Sequence, residues 1–479
     1  MDSIWVKTCN ISQRESLKQD IKTDVAIIGA GMAGVLTAYK LKQSGVDCIV
    51  LEANRIASGQ TQNTTAKITQ QHGHIYDRLI KNLGLEKAQQ YATANIRATE
   101  EYKNMIQRIP IDCDFEVKDA YVYSTSDEQA LHDEVDAAQS LRLPASFVKS
   151  LNLPFNILGA VKFENQAQFN PLKFINAIIT DLTIYENTKV KTVEDNTIIT
   201  ERGNTVTASK IVFACHYPFI NIPGYYFMRM HQERVYFLAL ENAPQVNGMY
   251  IGMNSTGYSL RNYKKLLLIG DESHRTGENT SGGKYDALRT AAKRFYPEAV
   301  EVGHWSAQDC ISTDGIPYIG QFSKETPDWY VATGFMKWGM STSMVAATII
   351  SDMICGKDND CAEVFSPQRF AVTDIPQTFR DGIKAAKGLA KEKLTLTQKT
   401  MDDLLTDSAD VVEIDGDAVG VYKDKNGNVY VVNAKCPHMG CRLEWNKDEK
   451  SWDCPCHGSR FDYKGKLLDC PAQEDIKEI

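Results

Sequence analysis

The sequence lacks any apolar run that approaches the ~20 residues a membrane-spanning helix needs. Its N-terminus also lacks the basic patch and apolar core of a secretory signal. We therefore expect no membrane span and a cytoplasmic location. An excess of basic residues is missing too, because 61 acidic residues outnumber 53 basic ones and the net charge is -8. Nucleic acid is not an expected partner, since phosphates are bound by basic surfaces.

Cysteines are distributed too unevenly for a scaffold of disulfides. Of the 12 cysteines, five lie between Cys436 and Cys470, and the others stand singly along the chain. Small secreted domains spread their cysteines over the whole fold. A local cluster instead favours a metal site near the end of this sequence.

The length and the residue patterns predict more than one domain, because a single hydrophobic core seldom serves 479 residues. Residues 1–375 alternate between strand and helix patterns, and residues 376–406 are polar, lysine-rich and typical of a partly helical linker. Residues 407–479 contain short alternating strands, with a hairpin signal at Asn426-Gly427. The expected fold class is therefore α/β followed by a small all-β domain.

A dinucleotide-binding motif opens the α/β region. Gly29-Ala30-Gly31-Met32-Ala33-Gly34 stands between a strand pattern and a helix pattern, and Glu52 ends the next strand. In such a motif the three glycines, Gly29, Gly31 and Gly34, let the backbone turn tightly, let it approach the pyrophosphate, and let the helix pack close to the strand. The acidic residue, here Glu52, binds the adenosine ribose. NAD and FAD both bind to this motif, so the motif alone leaves the cofactor open.

Two later segments carry a family resemblance that favours FAD. Residues 314–320, DGIPYIG, resemble a conserved segment of the D-amino-acid oxidase, glycine oxidase and sarcosine oxidase superfamily, and residues 332–340 resemble its second flavin-binding turn. The resemblance assigns Gly334, Gly339 and Met340 to noncovalently bound FAD. It also implies a discontinuous doubly wound FAD-binding domain, with parts at about 20–100, 155–225 and 300–375. An antiparallel substrate sheet is expected at about 110–150 and 226–300.

Candidate catalytic residues follow from the same resemblance. The loop over residues 62–67 occupies the position of a loop that passes the flavin in relatives, which makes Lys67 a candidate. A substrate carboxylate would need a cation, and Arg229, Arg234 and Arg261 fall on the expected substrate sheet. Arg261 is the preferred choice, because it precedes a strongly apolar strand.

The cysteine cluster has a specific metal-binding pattern, C-x-H-x-x-C from Cys436 and C-x-C-H-G-S from Cys454. Two cysteines and two histidines could hold zinc, although ordinary zinc fingers pair like residues. The pattern resembles Rieske domains over 408–479, which implies a [2Fe-2S] cluster bound by Cys436, His438, Cys454 and His457. The resemblance also implies a disulfide between Cys441 and Cys456.

Together the two parts predict an enzyme that oxidises an amine or amino-acid C–N bond. Electrons would pass from FAD through the cluster to an external one-electron acceptor. The alternative is a reductase in which a ferredoxin-like donor feeds the cluster and FAD reduces a small substrate. A Rieske oxygenase is disfavoured, because His72, His74 and Asp77 lack the spacing expected for a mononuclear iron site.

Overall fold

The computed structural model describes residues 2–253, 257–369, 404–414 and 417–479. The expected linker over 376–406 lies outside these residues up to position 403. The helices are α1 (Ile4–Thr8), α2 (Met32–Gln43), α3 (Tyr76–Arg108), α4 (Gln129–Ser140), α5 (Pro171–Ile178), α6 (Lys284–Phe295), α7 (Gly339–Ile354) and α8 (Ala362–Phe365). Within the described residues, no helix is long and apolar enough to cross a membrane.

The strands before residue 370 are β1 (Ile21–Ile28), β2 (Cys48–Leu51), β3 (Lys67–Ile68), β4 (Glu116–Ser124), β5 (Ala145–Val148), β6 (Gly159–Gln168), β7 (Thr183–Tyr185), β8 (Val190–Glu194), β9 (Thr197–Thr200), β10 (Thr205–Phe213), β11 (Met230–Glu241), β12 (Gly248–Gly252), β13 (Ser259–Tyr263), β14 (Leu266–Arg275), β15 (Val300–Ser312), β16 (Tyr318–Ser323) and β17 (Thr326–Thr333). Those after residue 403 are β18 (Ser408–Ile414), β19 (Asp417–Lys423), β20 (Val429–Asn433), β21 (Glu444–Asn446), β22 (Ser451–Asp453), β23 (Arg460–Asp462) and β24 (Leu467–Asp469).

The first sheet is built around β1, whose last four residues are all buried. Val25 and Ile27 pack into a cluster that includes residues of α2 and α7, whereas Ala26 and Ile28 pack into a second cluster. A parallel strand covered on both faces needs such a continuous apolar run. The sheet order is β16-β17-β10-β1-β2-β7, and the β8-β9 hairpin attaches to β10. The expected discontinuous doubly wound domain is thereby confirmed.

The second sheet has the order β15-β11-β14-β13-β12-β4-β6-β3, with β5 beside β6, and most of its pairs are antiparallel. Two strands, β6 and β15, depart from the expected domain boundaries. The sequence predicts residues 155–225 and 300–375 to belong to the FAD-binding domain. The structure instead puts β6 against β4 and β15 against β11 in this second sheet. The strands that pair with β6 and β15 lie far away in the sequence, so no local pattern assigns these two strands to a sheet.

The last region is a small all-β domain with two sheets, β18-β19-β20 and β21-β22-β23-β24. Gly427, with φ of +84°, lies in the turn between β19 and β20, where the hairpin signal was read. Trp445, Trp452 and Phe461 pack in its core beside the buried cysteines Cys436 and Cys454. The expected small β domain is confirmed.

Candidate functional site

The glycine turn follows β1 directly and leads into α2. Gly29 has φ of +106°, and a Cβ there would lie 2.6 Å from the carbonyl oxygen of Ala214. A Cβ on Gly34 would lie 1.9 Å from the carbonyl oxygen of Gly29. Any side chain would thus force apart the turn, the strand and the helix. The N-terminus of α2 faces a cavity, as a pyrophosphate group requires.

Glu52 lies across this turn at the end of β2. Its carboxylate accepts hydrogen bonds from the backbone N–H groups of Ala30 and Asn54, both at 2.8 Å. Burial raises the pKa of Glu52 despite these bonds. Glu52 lines the cavity together with Gly29 and Gly31. This geometry fits the predicted FAD-binding motif.

The cavity has a volume of about 650 Å³, which is in the range of cofactor and ligand sites. Gly339 and Met340, at the start of α7, line it as well. Gly334 has φ of +70° and forms the turn after β17. Gly334 thus belongs to the second glycine turn, but it does not line the cavity. The contacts of these three residues with FAD stay a prediction.

Lys67 reaches the same cavity from the start of β3. Its ammonium nitrogen donates hydrogen bonds to the hydroxyl groups of Ser259 at 2.7 Å and Thr65 at 3.0 Å. Burial and the neighbouring Arg261 guanidinium lower the pKa of Lys67 to about 7. Lys67 is therefore a cavity-facing amine that exchanges its proton near neutral pH.

Arg261 has a different position from the one expected. It is buried and donates hydrogen bonds to the backbone carbonyl oxygens of Thr65 and Ala66. It thus holds the loop that carries Lys67, and it does not belong to the cavity lining. Its guanidinium is engaged by carbonyl groups of the protein, which corrects the expected contact with a substrate carboxylate.

The other two candidate arginines also have partners in the protein. Arg229 donates to the carbonyl oxygens of Gly224 and Pro367, each at 2.6 Å. Arg234 forms an ion pair with Glu449 of the last domain. Neither arginine lines the cavity.

Asp309 lines the cavity and was not predicted from the sequence. Burial raises the pKa of its carboxyl group to about 7, although the nearby Lys337 opposes the shift. The local sequence from Trp305 to Cys310 mixes polar and apolar residues and gives no signal for Asp309. Only the pairing of β15 with β11 shows that this carboxylate faces the cavity.

The four predicted cluster ligands converge on one site. The thiols of Cys436 and Cys454 are buried and hydrogen-bond to each other. The rings of His438 and His457 lie 5.0 Å apart between centroids, with their planes at 89°. The Nδ1 atom of His438 is buried and has no hydrogen-bond partner among the described residues. Burial lowers the pKa of both histidines, so both present the neutral imidazole that a metal ion needs. The donor set fits a [2Fe-2S] cluster with two thiolate and two imidazole ligands.

The predicted disulfide between Cys441 and Cys456 is confirmed, with an S–S distance of 2.06 Å. Both of its sulfur atoms lie within 4.8 Å of the Cys454 sulfur. The Ser459 hydroxyl hydrogen-bonds to the Cys436 sulfur. The disulfide therefore ties together the two loops that supply the ligands.

The two sites are joined by direct contacts. The side-chain amide of Gln232 donates to the carbonyl oxygens of His457 and Cys470, both at 2.8 Å. Gln308 donates to the carbonyl oxygen of Gly458 at 2.8 Å. Residues of the last domain, from Lys466 to Asp475, also line the cavity that contains the glycine turn. These glutamines were not predicted, because nothing in their local sequence points to a partner so far along the chain.

Comparison with known families agrees with both sites. Residues 24–353 match the FAD dependent oxidoreductase (DAO) family, and residues 396–479 match the Rieske [2Fe-2S] domain. The chain belongs to the FAD dependent oxidoreductase family and carries a Rieske domain after it. It is an enzyme that binds FAD and a [2Fe-2S] cluster.

Individual relatives support the same combination. The chain is 34% identical over 497 aligned positions to the Rieske 2Fe-2S iron-sulfur protein YhfW of Bacillus subtilis (strain 168), covering 100% of this chain and 97% of that protein. It is 27% identical over 120 residues to gamma-glutamylputrescine oxidoreductase of Escherichia coli (strain K12), which covers 25% of this chain and 28% of the relative. The structure of glycine oxidase from Geobacillus kaustophilus covers 73% of this chain and 99% of that protein, with a TM-score of 0.61 and 18% identity.

Proposed function

We propose that this enzyme oxidises a C–N bond of an amine or amino acid and sends the electrons through its Rieske cluster to an external one-electron acceptor. FAD supplies hydride acceptance, and the cluster supplies transfer of single electrons. The observation that carries the proposal is the shared cavity. Residues 466–475 of the Rieske domain line the same cavity as Gly29, Glu52 and Lys67.

Hydrogen bonds between the two parts support transfer from one to the other. Gln60 lies beside the glycine turn and donates to the carboxylate of Asp469 at 3.0 Å, while it accepts from the backbone N–H of Gln308 at 2.7 Å. Gln308 in turn donates to Gln232, which contacts the loop of His457. These hydrogen bonds fix the Rieske domain in position beside the glycine turn.

The opposite side of the cluster site supports an external acceptor. His438 is only partly buried, and its Nε2 atom contacts the side-chain oxygen of Asn221 at 2.9 Å. Large apolar side chains are exposed next to Asn221 and next to His438, namely Ile222, Tyr225, Met228 and Met439. Exposed apolar groups of this kind are typical of surfaces that bind a partner protein.

The substrate class is supported by the family and by the names of two relatives. Gamma-glutamylputrescine oxidoreductase and glycine oxidase are named for compounds that contain a C–N bond. Reduction of a substrate by a ferredoxin-like donor, with electrons flowing in the opposite direction, is the alternative that the experiment below separates.

The test is the variant His457→Ala, which removes one imidazole ligand and leaves the FAD-binding motif intact. Anaerobic flavin reduction by a panel of amines and amino acids should keep its wild-type rate, while turnover with a c-type cytochrome should fall steeply and iron content should drop. His132→Ala is the matched control. His132 is half-exposed, stacks on Phe147, and lies far in the sequence from both cofactor motifs. Persistent turnover in the iron-free variant would contradict the relay. Flavin reduction by a reduced ferredoxin, with no reduction by any amine or amino acid, would establish the opposite direction.

A further inference from the structure

One end of the cavity is formed by the second sheet, and its chemistry bears on the substrate. Val235 on β11 pairs with Ala307 on β15, and Glu233 pairs with Asp309 one step along the same face. Val235, Phe237, Ala307 and Asp309 all line the cavity. The β11 and β15 part of the wall is apolar except for the Asp309 carboxyl group, and Lys67 and Ser259 line the cavity from β3 and β13 of the same sheet.

Among the described residues, no arginine forms an ion pair with that carboxylate. The second sheet and its approach contain four arginines in the described residues, Arg229, Arg234, Arg261 and Arg275. Each of them is bound to carbonyl groups or to Glu449. Arg202 does line the cavity, but it lies in the turn between β9 and β10 and donates to the hydroxyl group of Ser16. It therefore belongs to the end of the cavity that is remote from the second sheet.

The two lysines near Asp309 also have other partners. Lys337 contacts the carboxylate of Glu233 at 3.1 Å and donates to Ser273 at 2.6 Å. Lys67 donates to the hydroxyl groups of Thr65 and Ser259 and forms no ion pair with Asp309. Among the described residues, none forms a hydrogen bond or an ion pair with the Asp309 carboxyl group.

We propose that Asp309 binds an ammonium group of the substrate, and that the enzyme therefore acts on cationic amines in preference to α-amino acids. The proposal rests on the proposed function and names its substrate class. A carboxylate in a largely apolar wall is stabilised by a cation that pairs with it. An α-amino acid also carries an ammonium group, but its carboxylate is bonded to the same carbon. That carboxylate would lie close to the ionised Asp309, and the like charges disfavour binding.

The experiment compares two ligands of equal shape and opposite charge on the holoenzyme. Tert-butylamine is a cation without a hydrogen on the carbon that carries nitrogen, so the enzyme cannot oxidise it, and pivalate is the matching anion. Each is titrated anaerobically at one pH, and binding is followed by the shift in flavin absorbance. We expect tert-butylamine to bind more tightly than pivalate. Asp309→Asn should weaken the binding of tert-butylamine by roughly tenfold or more, as loss of a charge-assisted contact does.

Two further variants keep the result interpretable. Asp309→Glu retains the charge and should retain the preference for the amine. Asp271→Asn is the matched control, because Asp271 is a partly buried carboxylate on β14 of the same sheet that does not line the cavity. It should bind both ligands as the wild type does. FAD and iron contents of each variant report whether it has folded.

Tighter binding of pivalate by the wild type, or unchanged binding of tert-butylamine by folded Asp309→Asn, would overturn the proposal. Flavin reduction by amino acids but not by simple amines would also overturn it, while the proposed function would stand. If neither class of compound reduced the flavin, the proposed function would fail, and the tert-butylamine titration would still decide the role of Asp309.

Discussion

The ion pair between Arg234 and Glu449 is a buried electrostatic contact between the two parts of the enzyme. Arg234 is 2% exposed, and its Nε and Nη2 atoms donate to the same carboxylate at 2.9 and 2.6 Å. Arg460 contacts that carboxylate at 3.1 Å. Burial opposes ionisation of Glu449, but the two arginines outweigh it and hold the pKa of Glu449 at about 2.

Replacing Arg234 by Met should loosen the Rieske domain. Removing one partner of a buried ion pair costs about 3–5 kcal/mol, because a charge stays buried without compensation. Arg460 still neutralises part of the charge here, so we expect the lower value of about 3 kcal/mol, which lowers the ratio of docked to undocked domains by about 100-fold. Substrate reduction of the flavin should keep its rate, whereas reduction of the cluster should slow.

The assay is stopped-flow absorbance for the flavin, freeze-quenched electron paramagnetic resonance for the cluster, and hydrogen exchange for residues 449–471. The matched control is Arg289→Met, which breaks a more exposed pair with Glu301 and should change stability by less than about 1 kcal/mol. The double variant Arg234→Met with Glu449→Leu should recover part of the loss, because the Glu449 charge is then removed together with its partner, and Arg460 keeps Asp453 and Asp469. Cluster reduction and hydrogen exchange at wild-type levels in Arg234→Met would refute the reasoning.

Three further predictions concern the disulfide, the first glycine turn and the Glu449 carboxylate. Cys441→Ser with Cys456→Ser should shorten the lifetime of the cluster, measured by its visible absorbance, and leave the FAD content unchanged. The reason is that loss of a crosslink between the ligand loops costs about 3 kcal/mol. An unchanged lifetime would count against this role of the disulfide. Gly34→Ala should abolish FAD binding, measured as the ratio of flavin to protein absorbance, because its Cβ would lie 1.9 Å from the carbonyl oxygen of Gly29; normal loading would disprove the close packing. The pKa of Glu449 is lowered, so its contribution to docking is complete above the ordinary glutamate pKa and is lost as the pH falls toward about 2. Hydrogen exchange, divided by the intrinsic exchange rate at each pH, should rise across that range in the wild type and rise less in Glu449→Gln; an equal rise in both would contradict this role.

Both cofactor sites could be predicted because each is carried by residues close together in the chain. The turn from Gly29 to Gly34 and the two loops around Cys436 and Cys454 each contain their chemistry in six positions or fewer. Backbone conformation and ligand geometry at such short range depend on residue type alone. The resemblance to two families then selected FAD over NAD and a [2Fe-2S] cluster over zinc.

The roles of the substrate-sheet residues could not be predicted in the same way. Arg261 was expected to bind a substrate, yet it holds the backbone of the loop before Lys67. Asp309 was not expected at all, yet it lines the cavity. A strand pattern shows which side chains alternate, but it does not show which face of the sheet meets a cavity.

The sequence by itself determined the two domain types and their cofactors, and it predicted the residues that hold those cofactors. The tertiary structure alone decided that β6 and β15 belong to the second sheet, that Arg234 pairs with Glu449, and that the Rieske domain closes one side of the FAD cavity. The physical reason is the range of the interactions. Turns and metal loops form from neighbouring residues, whereas strand pairing and domain docking bring together residues that are far apart in the chain, and no local pattern specifies their partners.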